Sequence, residues 1–102
     1  MTKGVPKVAT KASPKIEMYS KMLCPYCARA KRTLNRLELD YETLDITFRA
    51  SLRQQMIERS QRFTVPQIFI DGYHIGGSDD LEAARQSGLL KKVLEGKQHR
   101  LA

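Results

Sequence analysis

The two cysteines of the chain stand three positions apart, in the stretch KMLCPYCARAKRTL that spans residues 21–34. A Cys-x-x-Cys pair is typical of half a zinc site, of a structural disulfide or of a redox-active dithiol. Structural zinc takes four nitrogen or sulfur ligands, and only His74 and His99 are available as further ligands. A disulfide that closes so short a loop restricts the unfolded chain little. The pattern therefore favours a redox-active dithiol, with zinc binding and a structural disulfide as the alternatives.

The position of the pair predicts different roles for the two sulfurs. Cys24 is expected between a strand and a helix that begins at Pro25, whose missing N–H costs nothing in a first turn. Exposed backbone N–H groups and the helix dipole favour a thiolate at Cys24, and Lys21 adds positive potential. Cys27 falls one turn into the helix, on its apolar face, where it should be less exposed. We expect Cys24 to attack the substrate and Cys27 to resolve the intermediate.

The elements that must position the pair follow from hydrophobic periodicity. Residues 15–20, KIEMYS, predict a strand with one face formed by Ile16, Met18 and Ser20. After Pro25, spacings of three and four predict a helical face formed by Cys27, Ala30, Leu34 and Leu37. Residues 41–46, YETLDI, predict a second strand, after which Thr47 is expected to cap a second helix. The inward residues of that helix are predicted to be Phe48, Leu52 and Met56.

The second half of the chain predicts a hairpin followed by two helices. Residues 67–71, QIFID, end in Asp71-Gly72, a good hairpin turn signal, and YHI follows as a short returning strand. Ser78 is expected to cap a helix that runs to about Ser87 and stops at Gly88. A last helix is predicted for residues 89–95.

These elements give the order β-α-β-α-β-β-α plus a C-terminal helix. Because a helix joins the first two strands, they should be parallel, and the tight turn makes the last two antiparallel. The sequence therefore predicts an α/β fold in which a mixed four-stranded sheet is flanked by helices.

Length and composition limit the classes of protein that fit. The 102 residues make one domain, with 41% hydrophobic and 28% charged residues. We expect a flexible basic N-terminal tail (residues 1–14), one domain (15–96) and a frayed C-terminus (97–102). No apolar run is long enough to cross a membrane, and no secretory signal is recognised. The net charge of +7 suits anionic partners, but no nucleic-acid motif of interleaved aromatic and basic residues is present.

Two segments resemble a known family. YSKMLCPYCARAK resembles the active-site segment of the dithiol glutaredoxins, whose hallmark is Cys-Pro-Tyr-Cys, and TVPQIFIDGYHIGGSDDL is similar to their second conserved stretch. The resemblance spans residues 15–95 and leaves the N-terminal tail outside. It implies a thioredoxin-like fold that binds glutathione.

The resemblance also implies a set of glutathione contacts. Lys21 would meet a carboxylate of glutathione, with Arg59 as a possible assistant, and Tyr26 would line the groove. The remaining contacts would come from Thr64 and Val65 before Pro66, which the family holds in cis, and from Gly77, Ser78 and Asp79 at the γ-glutamyl end. The plainer interpretations are a solvated lysine at 21, an ordinary strand start at Val65-Pro66, and helix capping at 78 and 79.

The predicted function is reduction of protein disulfides and of protein–glutathione mixed disulfides, with glutathione as the reductant and without a metal. We expect a cytoplasmic monomer that binds neither nucleic acid nor membrane. The alternative is an iron–sulfur carrier in which two chains share a [2Fe–2S] cluster through Cys24 and glutathione, although Pro25 and Cys27 argue against it. Gln61 and Phe63 depart from the family pattern, and Phe63 would alter substrate preference if it faced the groove.

Overall fold

The structure is a computed structural model that describes residues 14–96. Apart from Pro14, the predicted N-terminal tail (1–14) and C-terminus (97–102) lie outside the described residues, as does His99. Eight elements follow one another: β1 (Ile16–Ser20), α1 (Pro25–Arg36), β2 (Glu42–Asp45), α2 (Ala50–Ser60), β3 (Gln67–Ile70), β4 (Tyr73–Gly76), α3 (Ser78–Ser87) and α4 (Leu89–Leu94). This order confirms the predicted succession of strands and helices.

The four strands form one mixed sheet in the order β2-β1-β3-β4. β1 runs parallel to β2 and antiparallel to β3, and β3 pairs with β4 in an antiparallel hairpin. Asp71 and Gly72 turn this hairpin with φ of 49° and 86°, the two positive values that a type I′ turn requires. Asp71 also clamps the start of β1, because its carboxylate accepts the Lys15 N–H and its own N–H donates to the Lys15 carbonyl, both at 2.8 Å.

Both faces of the sheet are buried, which corrects the simple alternation predicted for β1. One face packs with α1, α3 and α4 through residues such as Met18, Leu34 and Ile68. The other face packs against α2, where Tyr19 and Phe69 meet Met56. Tyr19 is therefore as buried as Met18, because a central strand has no solvent side.

The start of α2 was predicted wrongly. The helix begins at Ala50 with Arg49 as its N-cap, and Phe48 is exposed in the preceding loop instead of facing the core. Thr47 does not cap the helix: its N–H donates to Asp45 Oδ1 (2.9 Å), and its hydroxyl oxygen accepts the N–H of Met22 (3.0 Å). These bonds tie the β2–α2 loop to the loop that precedes Cys24.

The start of α1 and the ends of α2 and α3 each depend on a single residue. Pro25 opens α1, as predicted, and Gly88 ends α3 with a left-handed φ of 91°. Gln61 ends α2 by adopting the left-handed conformation itself (φ 61°), and its side chain donates to the Glu58 carbonyl at 3.0 Å.

No helix in residues 14–96 is long and apolar enough to cross a membrane.

Candidate active site

Cys24 is the N-cap residue of α1. Its sulfur occupies the place of a capping oxygen and accepts the backbone N–H of Cys27 at 3.2 Å. The thiol can also donate to the Val65 carbonyl, 3.9 Å away. The sulfur thus lies at the positive end of the helix dipole, with one backbone N–H directed at it.

Cys27 lies in a different environment only one turn away. It is 2% exposed, and burial is the main cause that raises the pKa of its thiol above the usual 9.0, followed by its hydrogen bond with Cys24. Cys27 is therefore a neutral thiol near pH 7. Both cysteines are free in this structure.

The loop that ends at Pro66 forms the wall opposite Cys24. The Val65-Pro66 peptide bond is cis, as the resemblance implied. Thr64 and Val65 line a groove of about 600 Å³ beside Cys24, and Lys21 lines the same groove. The structure thus brings together four of the predicted site residues: Lys21, Cys24, Thr64 and Val65.

A buried amide, which the sequence analysis missed, holds this loop in place. Gln67 is 0% exposed. Its amide nitrogen donates to the Thr64 carbonyl at 3.1 Å and to the Thr64 hydroxyl at 3.3 Å. Because the nitrogen is used as a donor, the amide oxygen must accept the proton on His74 Nε2, 2.7 Å away. A fully bonded polar network of this kind fixes the backbone that faces Cys24.

His74 was considered as a zinc ligand, but its partners are structural. Besides its bond to Gln67, its ring stacks on Phe69 with centroids 4.8 Å apart. Burial lowers the pKa of His74, and the positive charge of Arg62 lowers it further. Within residues 14–96, no group of three or more His, Cys, Asp or Glu side chains is placed to hold a metal ion.

The glutathione contact that was offered for Arg59 of α2 needs correction. Arg59 donates to the Tyr19 hydroxyl (2.9 Å) and to Glu17 (3.1 Å), and its guanidinium lies 4.0 Å from the centre of the Phe69 ring. It therefore serves the packing between α2 and the sheet. Arg53, six positions earlier on another side of the helix, lines the groove instead. Helical spacing from the buried Met56 could not have told the two apart, because each arginine lies three residues from it.

The predicted γ-glutamyl residues lie at the start of α3. The N-cap is Gly77, not Ser78, which is the first helical residue. A Cβ on Gly77 would come within 3.4 Å of the Pro66 carbonyl oxygen, so this turn abuts the loop that faces Cys24. The Gly77 N–H donates to Asp80 Oδ2 (2.8 Å), whose carboxylate also accepts Arg62 (2.7 Å); the bond from Arg62, then that from Gly77, lowers the pKa of Asp80.

Asp79 and Tyr26 lie farther out than the other predicted residues. Asp79 is solvent-exposed and pairs with Arg29 of α1, with Nη1 3.4 Å from Oδ1. Tyr26 is exposed on the first turn of α1 and is not among the residues that line the groove beside Cys24. Both side chains are available to a ligand that extends beyond that groove.

Comparisons with known proteins agree with this geometry. The glutaredoxin family model matches residues 16–75. Glutaredoxin 3 of Escherichia coli K12 is 49% identical over 80 residues, which cover 78% of this chain and 96% of that protein.

Solved structures show the same likeness. The glutaredoxin of Brucella melitensis superposes with a TM-score of 0.73 at 41% identity, covering 84% of this chain and 94% of that one. A buckwheat glutaredoxin–glutathione complex also gives 0.73, at 28% identity, covering 85% and 82%. With its Cys-Pro-Tyr-Cys site on a thioredoxin-like fold, the chain belongs to the glutaredoxin family of thiol–disulfide oxidoreductases.

Proposed function

We propose that this protein uses glutathione to reduce protein disulfides and protein–glutathione mixed disulfides through Cys24 and Cys27. The observation that carries the proposal is the unequal treatment of two adjacent sulfurs. Cys24 is half-exposed at a helix N-terminus with a backbone N–H on its sulfur, whereas Cys27 is buried and protonated. An attacking and a resolving sulfur need these two environments.

With a protein disulfide, the Cys24 thiolate attacks one substrate sulfur and the substrate S–S bond breaks. The departing sulfur leaves as a thiolate and takes up a proton. Cys27 then loses its proton and attacks the Cys24 sulfur, which releases the second substrate thiol and forms the Cys24–Cys27 disulfide. Two glutathione molecules return the two electrons and become glutathione disulfide.

With a glutathionylated protein, Cys24 alone suffices. Its thiolate attacks the glutathione sulfur, the protein thiolate departs and is protonated, and a second glutathione thiolate attacks the Cys24–glutathione disulfide. The products are glutathione disulfide and free Cys24, so that Cys27 takes no part in the exchange.

Glutathione has matching partners along the groove. Lys21 and Arg53 are cations placed for its glycyl carboxylate, and the Val65 backbone lies beside Cys24 for its cysteinyl part. At the other end, the Ser78 N–H at the start of α3 suits the γ-glutamyl carboxylate and Asp79 suits the ammonium, whereas the Gly77 N–H is already bonded to Asp80. The buckwheat relative, solved with glutathione, supports this proposal.

The test is a pair of variants assayed with two substrates. Cys24→Ser should abolish turnover of both a glutathionylated protein and a protein disulfide. Cys27→Ser should retain the first activity and lose most of the second. Equal loss of both activities in Cys27→Ser would show that the roles are wrong. Glutathione with glutathione reductase should sustain turnover, and replacement by thioredoxin reductase should not, because the proposal requires glutathione as the donor.

The setting of this reaction belongs to the same proposal. Thiols that must be regenerated by glutathione suit a reducing compartment, the cytoplasm. We take residues 15–96 as the working domain and a monomer as the working form. Nothing in the described residues favours the alternative role as an iron–sulfur carrier.

A further inference from the structure

Three large apolar side chains surround Cys24 without being covered. Leu23 is 95% exposed, Phe48 97% and Phe63 68%. They come from three different loops, those that precede α1, α2 and β3, yet all three line the groove beside Cys24. We call these three residues the apolar collar. Exposed apolar groups that converge on one point mark an interaction surface, unlike single exposed residues scattered over a protein.

The backbone shows that this exposure has a cost. Leu23 and Phe48 both have φ of 57°, in the left-handed region that residues with a Cβ avoid and that Gly or Asn would fill more easily. The loop that carries Phe48 is held by the bonds of Thr47 to Asp45 and to the N–H of Met22. Two strained positions next to a reactive sulfur are the kind of outlier that points to function.

Glutathione does not account for the collar. The tripeptide contains glutamate, cysteine and glycine, so it has no apolar side chain that could cover two phenylalanines and a leucine. The reductant shares the groove but offers these three side chains no apolar partner, and the other molecule that reaches Cys24 is the protein whose disulfide is reduced.

The rest of the groove narrows the chemistry of that partner. Lys21 and Arg53 line the groove with the collar, and none of the residues that line it is acidic. A volume of about 600 Å³ is enough for a few residues of an extended chain. An apolar side chain would bury itself on the collar, and a carboxylate would pair with either cation.

From these observations we infer that the apolar collar is the docking surface for an extended protein segment that has an apolar residue next to its disulfide cysteine and a carboxylate nearby. The inference rests on the proposed attack by Cys24 and adds a substrate class to it. The docked segment places its sulfur at Cys24, and the exchange then proceeds as written above, with two substrate thiols and the Cys24–Cys27 disulfide as products.

The experiment uses the reduced full chain without glutathione, so that each molecule reduces one disulfide. The substrates are oxidised homodimers of three short peptides: Glu-Ala-Cys-Phe, the same peptide with Ser for Phe, and the same peptide with Lys for Glu. The disulfide of 2-mercaptoethanol is the small reference substrate. We expect the wild type to prefer the first peptide over the Ser peptide by about tenfold in second-order rate constant, with a smaller, salt-sensitive preference over the Lys peptide.

The double variant Phe48→Ser, Phe63→Ser should lose the preference for Phe. Its rate with the small disulfide should stay within about twofold of wild type, because exposed residues are removed and the sulfurs are untouched. Leu37→Ser is the matched control: Leu37 is also partly exposed but lies at the end of α1 and does not line the groove. It should change neither rate.

Several outcomes would overturn the inference. If the wild type reduces the Phe and Ser peptides at the same rate, the collar is not an apolar docking site. If the double variant loses as much rate with the small disulfide as with the Phe peptide, the collar acts in disulfide exchange itself and not in docking. If the wild type is a dimer and the double variant is a monomer, then a second copy of this chain covers the collar, not a substrate segment. If removal of residues 1–13 raises the rate of peptide reduction, then the N-terminal segment covers the collar. Because glutathione is absent, failure of glutathione to sustain turnover would overturn only the proposed function.

Discussion

Two loops meet at Cys24, and they are held in place by different means. The loop of Thr64 and Val65 is anchored from the core by the amide of Gln67, which is fully buried and fully bonded. The β2–α2 loop, with Phe48, is anchored at the surface through Thr47 and has a strained residue at its tip. The geometry around the sulfur is thus fixed from inside, while the recognition surface can change without disturbing it.

The strongest way to break this comparison is to remove the internal anchor. Gln67→Leu leaves the Thr64 carbonyl without its donor and His74 without its acceptor, so we expect a loss of about 1–3 kcal/mol in the free energy of unfolding. The KM for glutathione should rise as the Val65 backbone loosens, with a smaller change in kcat for the small disulfide. Denaturant unfolding and steady-state kinetics measure both effects.

Gln86→Leu is the control, because the exposed Gln86 side chain donates to Glu82 on the surface of α3 and takes no part in the bonds that hold the Thr64 loop. It should leave stability and KM near wild type. If Gln67→Leu were as stable and as active as this control, the loop would not depend on its buried anchor.

A second prediction separates the two arginines of α2. Arg59→Gln should cost about 1–2 kcal/mol of stability, because it removes the bonds to Tyr19 and Glu17 and the contact over Phe69. Arg53→Gln should leave stability unchanged and raise the KM for glutathione roughly fivefold, by loss of one cation from the groove. The same two assays distinguish them, and reversed results would restore Arg59 to the glutathione site.

A third prediction is a gain in stability, in contrast to the losses expected for Gln67→Leu and Arg59→Gln. Phe48→Gly should stabilise the protein by about 0.5–1 kcal/mol, because glycine adopts a positive φ without strain and the lost side chain buries nothing. Phe63 has no positive φ, so Phe63→Gly should give no gain. Thermal unfolding of both variants shows whether the positive φ of Phe48 lowers the stability of the protein.

The smallest expected effect concerns pH. Because the pKa of His74 is lowered in the folded protein, the unfolded chain binds more protons below its usual pKa of 6.5. The stabilisation is therefore complete above about pH 6.5 and is lost as the pH falls through the lower folded value. Arg62 and Arg59 oppose the protonation of His74, and Asp80 favours it.

His74→Gln should flatten the melting temperature between about pH 7.5 and pH 5 relative to wild type. An unchanged slope would assign the pH dependence to other groups. Protonation at the other ring nitrogen keeps the proton on Nε2, so the bond to Gln67, and with it the Thr64 loop, should survive in acid.

Local chemistry made much of this fold predictable. Pro25 at the start of α1, the Asp71-Gly72 turn and the stop at Gly88 each depend on one or two residues whose backbone preferences are strong. The functional asymmetry of Cys24 and Cys27 was equally readable, because helical spacing alone places one sulfur at the end and the other on the buried face.

What could not be predicted depends on partners distant in the chain. The bond between Gln67 and His74 exists only because β3 and β4 pair, and Tyr19 is buried only because α2 covers a second face of the sheet. Phe48 was assigned to a helix by periodicity, although the bonds of Thr47 delay the start of α2 to Ala50. The collar therefore became visible only in three dimensions, since its members come from three separate loops.

The clamp between Lys15 and Asp71 has a practical consequence. β1 runs from this clamp toward Cys24, so its five residues separate Lys15 from the reactive end of the molecule by about 17 Å. A tag, fluorophore or solid support attached upstream of Lys15 joins the domain at the pole opposite the thiol. Immobilised preparations should accordingly keep their reactive face turned outward and accessible to large clients.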